Sequence, residues 1–428
     1  MKKVFILLVM GLVTVACNEM LPQDNPNDAF AIEQPVPQTV LSHITLNETQ
    51  QGYIREGNKL SFKIFPKLLA NSGGSFVYSP LSLELALAMT ANGTEGQTRS
   101  EILGALGYGS ADLGALNEYA RILIEQLPSL DLDVTLKLAD ALLATDKYTL
   151  KEDFRETLAK YYYAPAAVMP FNDARAVLNK VNEWAKRNTE GLIDPMLEDI
   201  DPNAVAFLLN ALYFKAQWQG SEKDPMFSAD ATYGEQFRLA DGKAKELPFM
   251  HATRALPYAD MGDYQVLALP YSSGKFYMYI LLPKKDDGLE SLVTSLGRAD
   301  WGDLSAGLRE GKNVILSLPR FEVSGDFLLN DALQSLGMRR AFDDSLAEFG
   351  AMFDTPAKGF YISRVLQKAR MSVTEWGTEA GAVTVVEMSE KSAGPMETVR
   401  FNADHPFVFI IGEKKSGAIL FEGAFTGK

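Results

Sequence analysis

Residues 375–397 read EWGTEAGAVTVVEMSEKSAGPME. The stretch changes character halfway. Its first part carries small residues at 377, 378 and 380–382, then the run Val383, Thr384, Val385 and Val386. The rest is polar and turn-forming, with Gly394 and Pro395. β-Branched residues favour strands, and small ones suit a strand that must fit between two others. A surface loop rarely opens on Ala-Gly-Ala-Val-Thr-Val-Val. One segment is therefore written both as a loop and as a potential central strand.

The flanks supply the sheet for such a strand. Downstream, FVFIIGE (407–413) and AILFEGAF (418–425) bracket Lys414-Lys415-Ser416-Gly417, a hairpin signal. Upstream, Val314, Leu316 and Leu318 alternate before Arg320 and Phe321, and 277–283 (YMYILLP) is a second apolar run. The run 205–214 (VAFLLNALYF) suits a strand covered on both faces. The first half is more helical: Leu60, Ile64, Phe65, Leu68 and Leu69 have helical spacing. So do Val177, Val181 and Trp184, with Asp173 as an N-cap, and residues 150–161 form a third amphipathic candidate. Helices first and strands later predict α+β architecture. No repeat or low-complexity stretch interrupts residues 46–428.

Composition excludes several classes. The 428 residues are 47% apolar and 22% charged, ordinary for a folded soluble chain. A net charge of −14 argues against nucleic acid, whose phosphates need clustered Lys and Arg. The one cysteine, Cys17, rules out an internal disulfide framework and any multi-cysteine metal site. His43, His251 and His405 are far apart in sequence and read as structural or surface residues. No HExxH, GxSxG or SxxK motif is present. Residues 307–312 (GLREGK) have the wrong glycine spacing for a phosphate loop, and Asn313 follows where Ser or Thr would hold magnesium. No enzyme activity, cofactor or metal is expected.

Against this background, 377–384 (GTEAGAVT) resembles the proximal hinge of the reactive-centre loop of the serpin family. Seven further segments resemble that family in order: 76–98 (FVYSPLSLELALAMTANGTEGQT), 210–218 (NALYFKAQW), 267–271 (LALPY), 318–323 (LPRFEV), 336–342 (LGM with AF), 347–350 (AEFG) and 404–409 (DHPFVF). The likeness spans about residues 46–428. It implies a single domain, in place of the two or three that length suggests. The implied fold has a large central mixed sheet, two smaller sheets and about eight or nine helices.

The resemblance also implies a mechanism. Family members fold into a metastable state with the loop, here about 376–400, exposed. A serine protease attacks the loop, forms an acyl-enzyme and is dragged away as the loop enters the central sheet. Counting from Glu375, which matches the acid at the loop's base, the scissile bond falls at Lys391-Ser392. A lysine there suits the acidic pocket of a trypsin-like enzyme. Cleavage at Glu390, Met388 or Ser392 is the alternative reading, and Val385, Val386 or Met388 could serve elastase-like enzymes. The hinge comprises Glu375, Gly377, Thr378, Glu379, Ala380, Gly381, Ala382, Val383 and Thr384. Thr378 enters the sheet first, and a charge there would oppose burial. Small residues at 380–382 favour an inhibitor over a non-inhibitory binding or chaperone member; Val383 is bulkier than usual. A hydrolase or a surface binding lipoprotein would need a constellation that the sequence lacks.

Arg320 and Glu375 match a latch at the top of the sheet near Trp218. Ser79, Ser82 and Asn210 match a central polar network, in which Gln367 replaces the family's usual histidine. Asp140 stands where Asn is common, Trp376 replaces a charged residue, and the chain ends Thr426-Gly427-Lys428 rather than Asn-Pro. The segment from Lys391 to His405 is about four residues longer than typical. A monomer is expected, with the protease as its covalent partner.

At the N-terminus, Lys2 and Lys3 precede an apolar run, Val4 to Val15, too short to span a bilayer. Ala16-Cys17 at its end resembles a bacterial lipobox, with Thr14 where Leu is usual. Residues 1–17 are therefore expected to be a signal peptide ending in a lipid-modified cysteine. Residues 18–45, with Pro22, Pro26, Pro35 and Pro37, read as a flexible tether. The expected location is a membrane surface or periplasmic face, or the exterior if the lipobox is not used.

Overall fold

The computed structural model describes residues 30, 32–109, 111–201, 203–221, 223–354, 359–378 and 397–428. Cys17, Glu379, Ala380, Gly381, Ala382, Val383, Thr384, Lys391 and Ser392 lie outside them. The described residues hold nine α-helices: α1 (Glu48–Ser72), α2 (Pro80–Ala91), α3 (Gly96–Leu106), α4 (Leu113–Gln126), α5 (Glu152–Tyr162), α6 (Ala174–Asn188), α7 (Leu289–Leu296), α8 (Trp301–Ala306) and α9 (Asn330–Ser335).

The strands are β1 (Phe76–Tyr78), β2 (Thr135–Thr145), β3 (Ala166–Met169), β4 (Ala206–Gln217), β5 (Thr232–Arg238), β6 (Ala244–Asp260), β7 (Tyr264–Pro270), β8 (Phe276–Pro283), β9 (Arg309–Pro319), β10 (Phe321–Leu328), β11 (Arg364–Thr374), β12 (Gly377–Thr378), β13 (Thr398–Asn402), β14 (Phe407–Glu413) and β15 (Ile419–Phe425). A mixed six-stranded sheet runs β10-β11-β12-β4-β2-β3. A nine-stranded sheet runs β1-β15-β14-β8-β7-β6-β9-β13, with β5 paired to β6. The two smaller sheets that the resemblance implies run into one another here, because β6 is 17 residues long and pairs with β5, β7 and β9.

Local chemistry sets the helix starts. Asn47 and Gln50 form a reciprocal capping box ahead of α1, and Asp173 accepts from the Ala176 N–H ahead of α6. Ser79 caps α2, with Pro80 at its first position. Every residue of α2 is buried, so its sequence is apolar on all sides. It packs behind the six-stranded sheet in the main core.

A second core lies on the opposite face of that sheet. There Val177, Val181 and Trp184 of α6 meet Phe207 and Leu209 of β4 and Leu366 of β11. The double cover explains why β4 is apolar at consecutive positions. Part of the stretch expected to be a tether joins this face. Phe30 is buried with its ring 6.3 Å from that of Trp184. Arg187 donates to the Phe30 carbonyl at 2.9 Å, and Gln34 accepts from the Leu138 N–H. Leu41 N–H donates to the Ser129 carbonyl at 2.7 Å. The apolar side chain of Phe30 finds a complementary surface that proline content alone does not reveal.

Candidate functional site

The site is the boundary between β4 and β11. Among the described residues these strands pair directly, in parallel, from Arg364↔Phe207 to Lys368↔Ala211. Higher up, β12 lies between them and pairs antiparallel with both: Gly377↔Gln217 and Thr378↔Ala216 on one side, Thr374↔Gly377 and Val373↔Thr378 on the other. The first residues of the expected hinge thus already occupy a strand position.

Gly377 is required there. Its φ is +143°, and a Cβ would lie 2.1 Å from the Ala216 carbonyl oxygen. Thr378 is buried, and its Oγ1 lies 2.5 Å from the phenol oxygen of Tyr271. Trp218 stacks on Tyr271 at 4.5 Å with planes 10° apart. The Trp218 indole N–H donates to the Thr374 carbonyl at 2.8 Å, and its backbone N–H donates to that of Trp376. Trp218 therefore clamps the turn at 374–376 rather than touching the ion pair. Trp376 itself is half exposed.

Arg320 and Glu375 come together as an ion pair. Arg320 Nη2 lies 2.5 Å from Glu375 Oε1, which also accepts from Thr232 Oγ1 at 2.6 Å. The carboxylate is almost fully buried, whereas the arginine side chain is 47% exposed. Burial pushes the Glu375 carboxyl up, but the guanidinium and the Thr232 hydroxyl outweigh it and hold the group below its usual range.

Lower down, a polar row crosses the sheet's inner side. Gln367 faces Asn210, which faces Asp140, in register across β11, β4 and β2. Gln367 Nε2 donates to the Ser79 carbonyl at 2.8 Å and to Asn210 Oδ1 at 2.6 Å, while its Oε1 accepts from the Ser79 N–H at 2.9 Å. Asn210 Nδ2 donates to Asp140 Oδ1 at 2.6 Å. Every polar atom of Gln367 is satisfied, so an amide replaces the histidine without loss. Ser79 Oγ donates to the Leu420 carbonyl at 2.8 Å. Ser82 joins only through its N–H, which donates to Ser79 Oγ; its own hydroxyl is buried without a partner among the described residues. That hydroxyl belongs to α2 and falls outside the row.

Asp140 is buried, and desolvation pushes its carboxyl up to about 7, against the opposing pull of Asn210. Two other carboxyls are buried in the main core, one on α2 and one on β15. Glu84, bonded by Tyr108 and Tyr119, and Glu422, bonded by Ser61 and Tyr78, are each pushed up to about 7 by burial. No cluster of His, Cys, Asp or Glu among the described residues could hold a metal ion.

Sequence reasoning missed three residues. Thr232 reaches Glu375 only because β5 and β6 form a hairpin at that end. Tyr271 ends the LALPY segment, but nothing local marks it as a neighbour of the hinge. Asp140 was visible as an exception to the family pattern; its place in the row needed the register.

Residues 55–427 match the family model described as Serpin (serine protease inhibitor). The chain is 29% identical to an uncharacterized serpin-like protein of Thermococcus kodakarensis, over 99% of this chain and 98% of that protein. It is 35% identical to Serpin-ZXA of Oryza sativa subsp. japonica, over 82% of this chain and 90% of the relative. In three dimensions it resembles the native state of a thermophilic serpin, tengpin, with a TM-score of 0.78 and 27% identity over 91% of this chain and 97% of that one.

Proposed function

The chain belongs to the serpin family of protease inhibitors, and on that premise we propose that it traps a trypsin-like serine protease as a suicide substrate. The protease cleaves Lys391-Ser392, the acyl-enzyme forms, and the loop then enters the sheet between β4 and β11. The observation that carries this reading is β12. The loop's first two residues already pair with both strands across which insertion must proceed. From Thr378 to the directly paired rows, four loop residues, 379–382, continue the strand before Lys368 must part from Ala211. One row further, Gln367 must part from Asn210. All four are small or flexible except Glu379, whose alternate parity relative to the buried Thr378 turns it toward the outer face.

The test uses protein lacking residues 1–17 mixed with trypsin. A covalent complex that survives SDS, with release of a peptide beginning at Ser392, is the expected result. Clean cleavage by trypsin and by other serine proteases, with no complex and no gain in thermal resistance, sinks the inhibitor reading in favour of a non-inhibitory binding role. We further propose that the protein acts as a monomer and is held at a membrane through a lipid on Cys17. Mass spectrometry of the membrane-bound protein checks this: an unmodified Cys17, or a mature chain lacking it, overturns the anchor.

A further inference from the structure

We propose that Tyr271 is the positioning residue that sets the register of loop insertion, by holding the hydroxyl of Thr378. The inference rests on the inhibitor reading above and adds to it a residue outside the loop.

Tyr271 is fully buried. Its ring is stacked by Trp218 and approached edge-on by Phe214 at 5.2 Å. Its backbone N–H donates to the Phe276 carbonyl, and an isolated bridge ties Tyr271 to Trp218. Ring and backbone are thus fixed before any loop residue arrives. The phenol is the polar tip of an otherwise apolar box, and its recorded side-chain partner is Thr378 Oγ1 at 2.5 Å. Burial pushes the phenol far above its usual range, so it keeps its proton at any working pH.

A buried hydroxyl without a partner is disfavoured, while a pair removed together is nearly neutral. The phenol therefore favours a hydroxyl-bearing residue in the row of Ala216 and Val373, and disfavours its neighbours along the chain. A slip by one residue would withdraw Thr378 from the box and turn its side chain to the other face. Further insertion leaves the Thr378 row in place, so the contact persists from the native to the inserted form. It biases the hinge toward the docked state from which insertion starts.

The test compares Thr378→Val, Tyr271→Phe, the double variant and Thr378→Ser in the full chain. The reaction is loop cleavage, followed by the rate at which tryptophan fluorescence changes and thermal resistance appears. The stoichiometry of inhibition is read in parallel. Thr378→Val should slow insertion roughly tenfold, because the unpaired phenol disfavours the docked hinge and shifts it toward the undocked state, from which insertion does not start. Tyr271→Phe should slow it less. The double variant should match Tyr271→Phe within about twofold, and Thr378→Ser should remain near wild type. Additive effects, or a Ser variant no better than Val, overturn the proposal, since loss of packing alone produces those outcomes. If the wild type is cleaved without trapping protease but still inserts, the inhibitor reading falls and the rate comparison still decides the role of Tyr271. If the wild type does not insert at all, this proposal falls too.

Discussion

At Glu375 the boundary between β4 and β11 is held by an ion pair with a half-exposed arginine, capped by Thr232 and flanked by the Trp218–Tyr271 stack. At Gln367 the same boundary is held by amides and a serine backbone, with the nearest carboxyl, Asp140, pushed toward neutrality. The difference follows from water. Arg320 keeps much of its hydration, so pairing it with a buried carboxylate carries a modest desolvation penalty. On the inner side of the sheet Gln367, Asn210 and Asp140 are buried, and a full charge there would be expensive. Neutral groups that exhaust one another's hydrogen bonds are the stable solution there.

This contrast can be tested at both ends. The largest loss of stability is expected from Gln367→Ala. It leaves the Ser79 N–H and the Asn210 carbonyl unpaired and opens a cavity, which should lower stability by about 3 kcal/mol or more in urea unfolding. Gly377→Ala should come next, at about 2 kcal/mol, because its Cβ would collide with the Ala216 carbonyl in a backbone conformation that alanine avoids. The check is faster nicking near the hinge by a non-target protease. Arg320→Ala should cost about 1–2 kcal/mol at neutral pH, discounted for the exposure of the arginine. Because the Glu375 pKa is depressed in the folded protein, its contribution is present above the ordinary glutamate value of 4.5 and is lost as pH falls below it. Wild type and Arg320→Ala should therefore converge in acid, as judged by urea midpoints across pH.

The variant that sharpens the comparison most is Asp140→Asn, whose effect vanishes in acid and is a gain rather than a loss. Here the sign is reversed. The Asp140 pKa is raised from 3.8 to about 7, so the native state binds a proton that the unfolded chain releases, and stability falls as pH rises across that window. Asparagine keeps an oxygen for the Asn210 N–H and cannot ionise. The variant should equal wild type near pH 4 and gain progressively as pH rises, reaching about 4 kcal/mol by pH 8 for a shift from 3.8 to about 7. Equal pH profiles for the two proteins would show that Asp140 ionises at the same pH folded as unfolded, against the upward push of burial.

Much of this boundary is legible in the sequence because its chemistry is local. The small and β-branched residues of 377–386 announce a segment that must become a strand, and α2 declares its burial by having no polar face. Arg320 and Glu375 could be paired from the family pattern. What could not be read depends on which rows meet. Tyr271 and Thr378 are 107 residues apart and touch only because β12 stops where it does. Ser82 looks identical to Ser79 in the sequence, yet the backbone of Ser79 joins the row and its hydroxyl finds the Leu420 carbonyl, whereas the hydroxyl of Ser82 has no partner among the described residues. Asp140 and Glu422 sit in apolar strands, a visible anomaly, but the upward push on their carboxyls follows from burial rather than from residue type. Phe30 lies among prolines and polar residues that describe a tether; its anchorage depends on a surface formed by α6.

The pairing of β1 with β15, Phe76↔Ala424 to Tyr78↔Glu422, has a consequence for biosynthesis. β15 is also the partner of β14, so this part of the nine-stranded sheet waits for strands translated long after β1. Until they emerge, β1 has no neighbour in that sheet and Tyr78 lacks the Glu422 carboxyl. Contacts spanning nearly the whole chain are slow to form. A nascent chain in which β15 has not yet been made therefore has an open core, and truncation before β15 would yield a product unable to close its sheet.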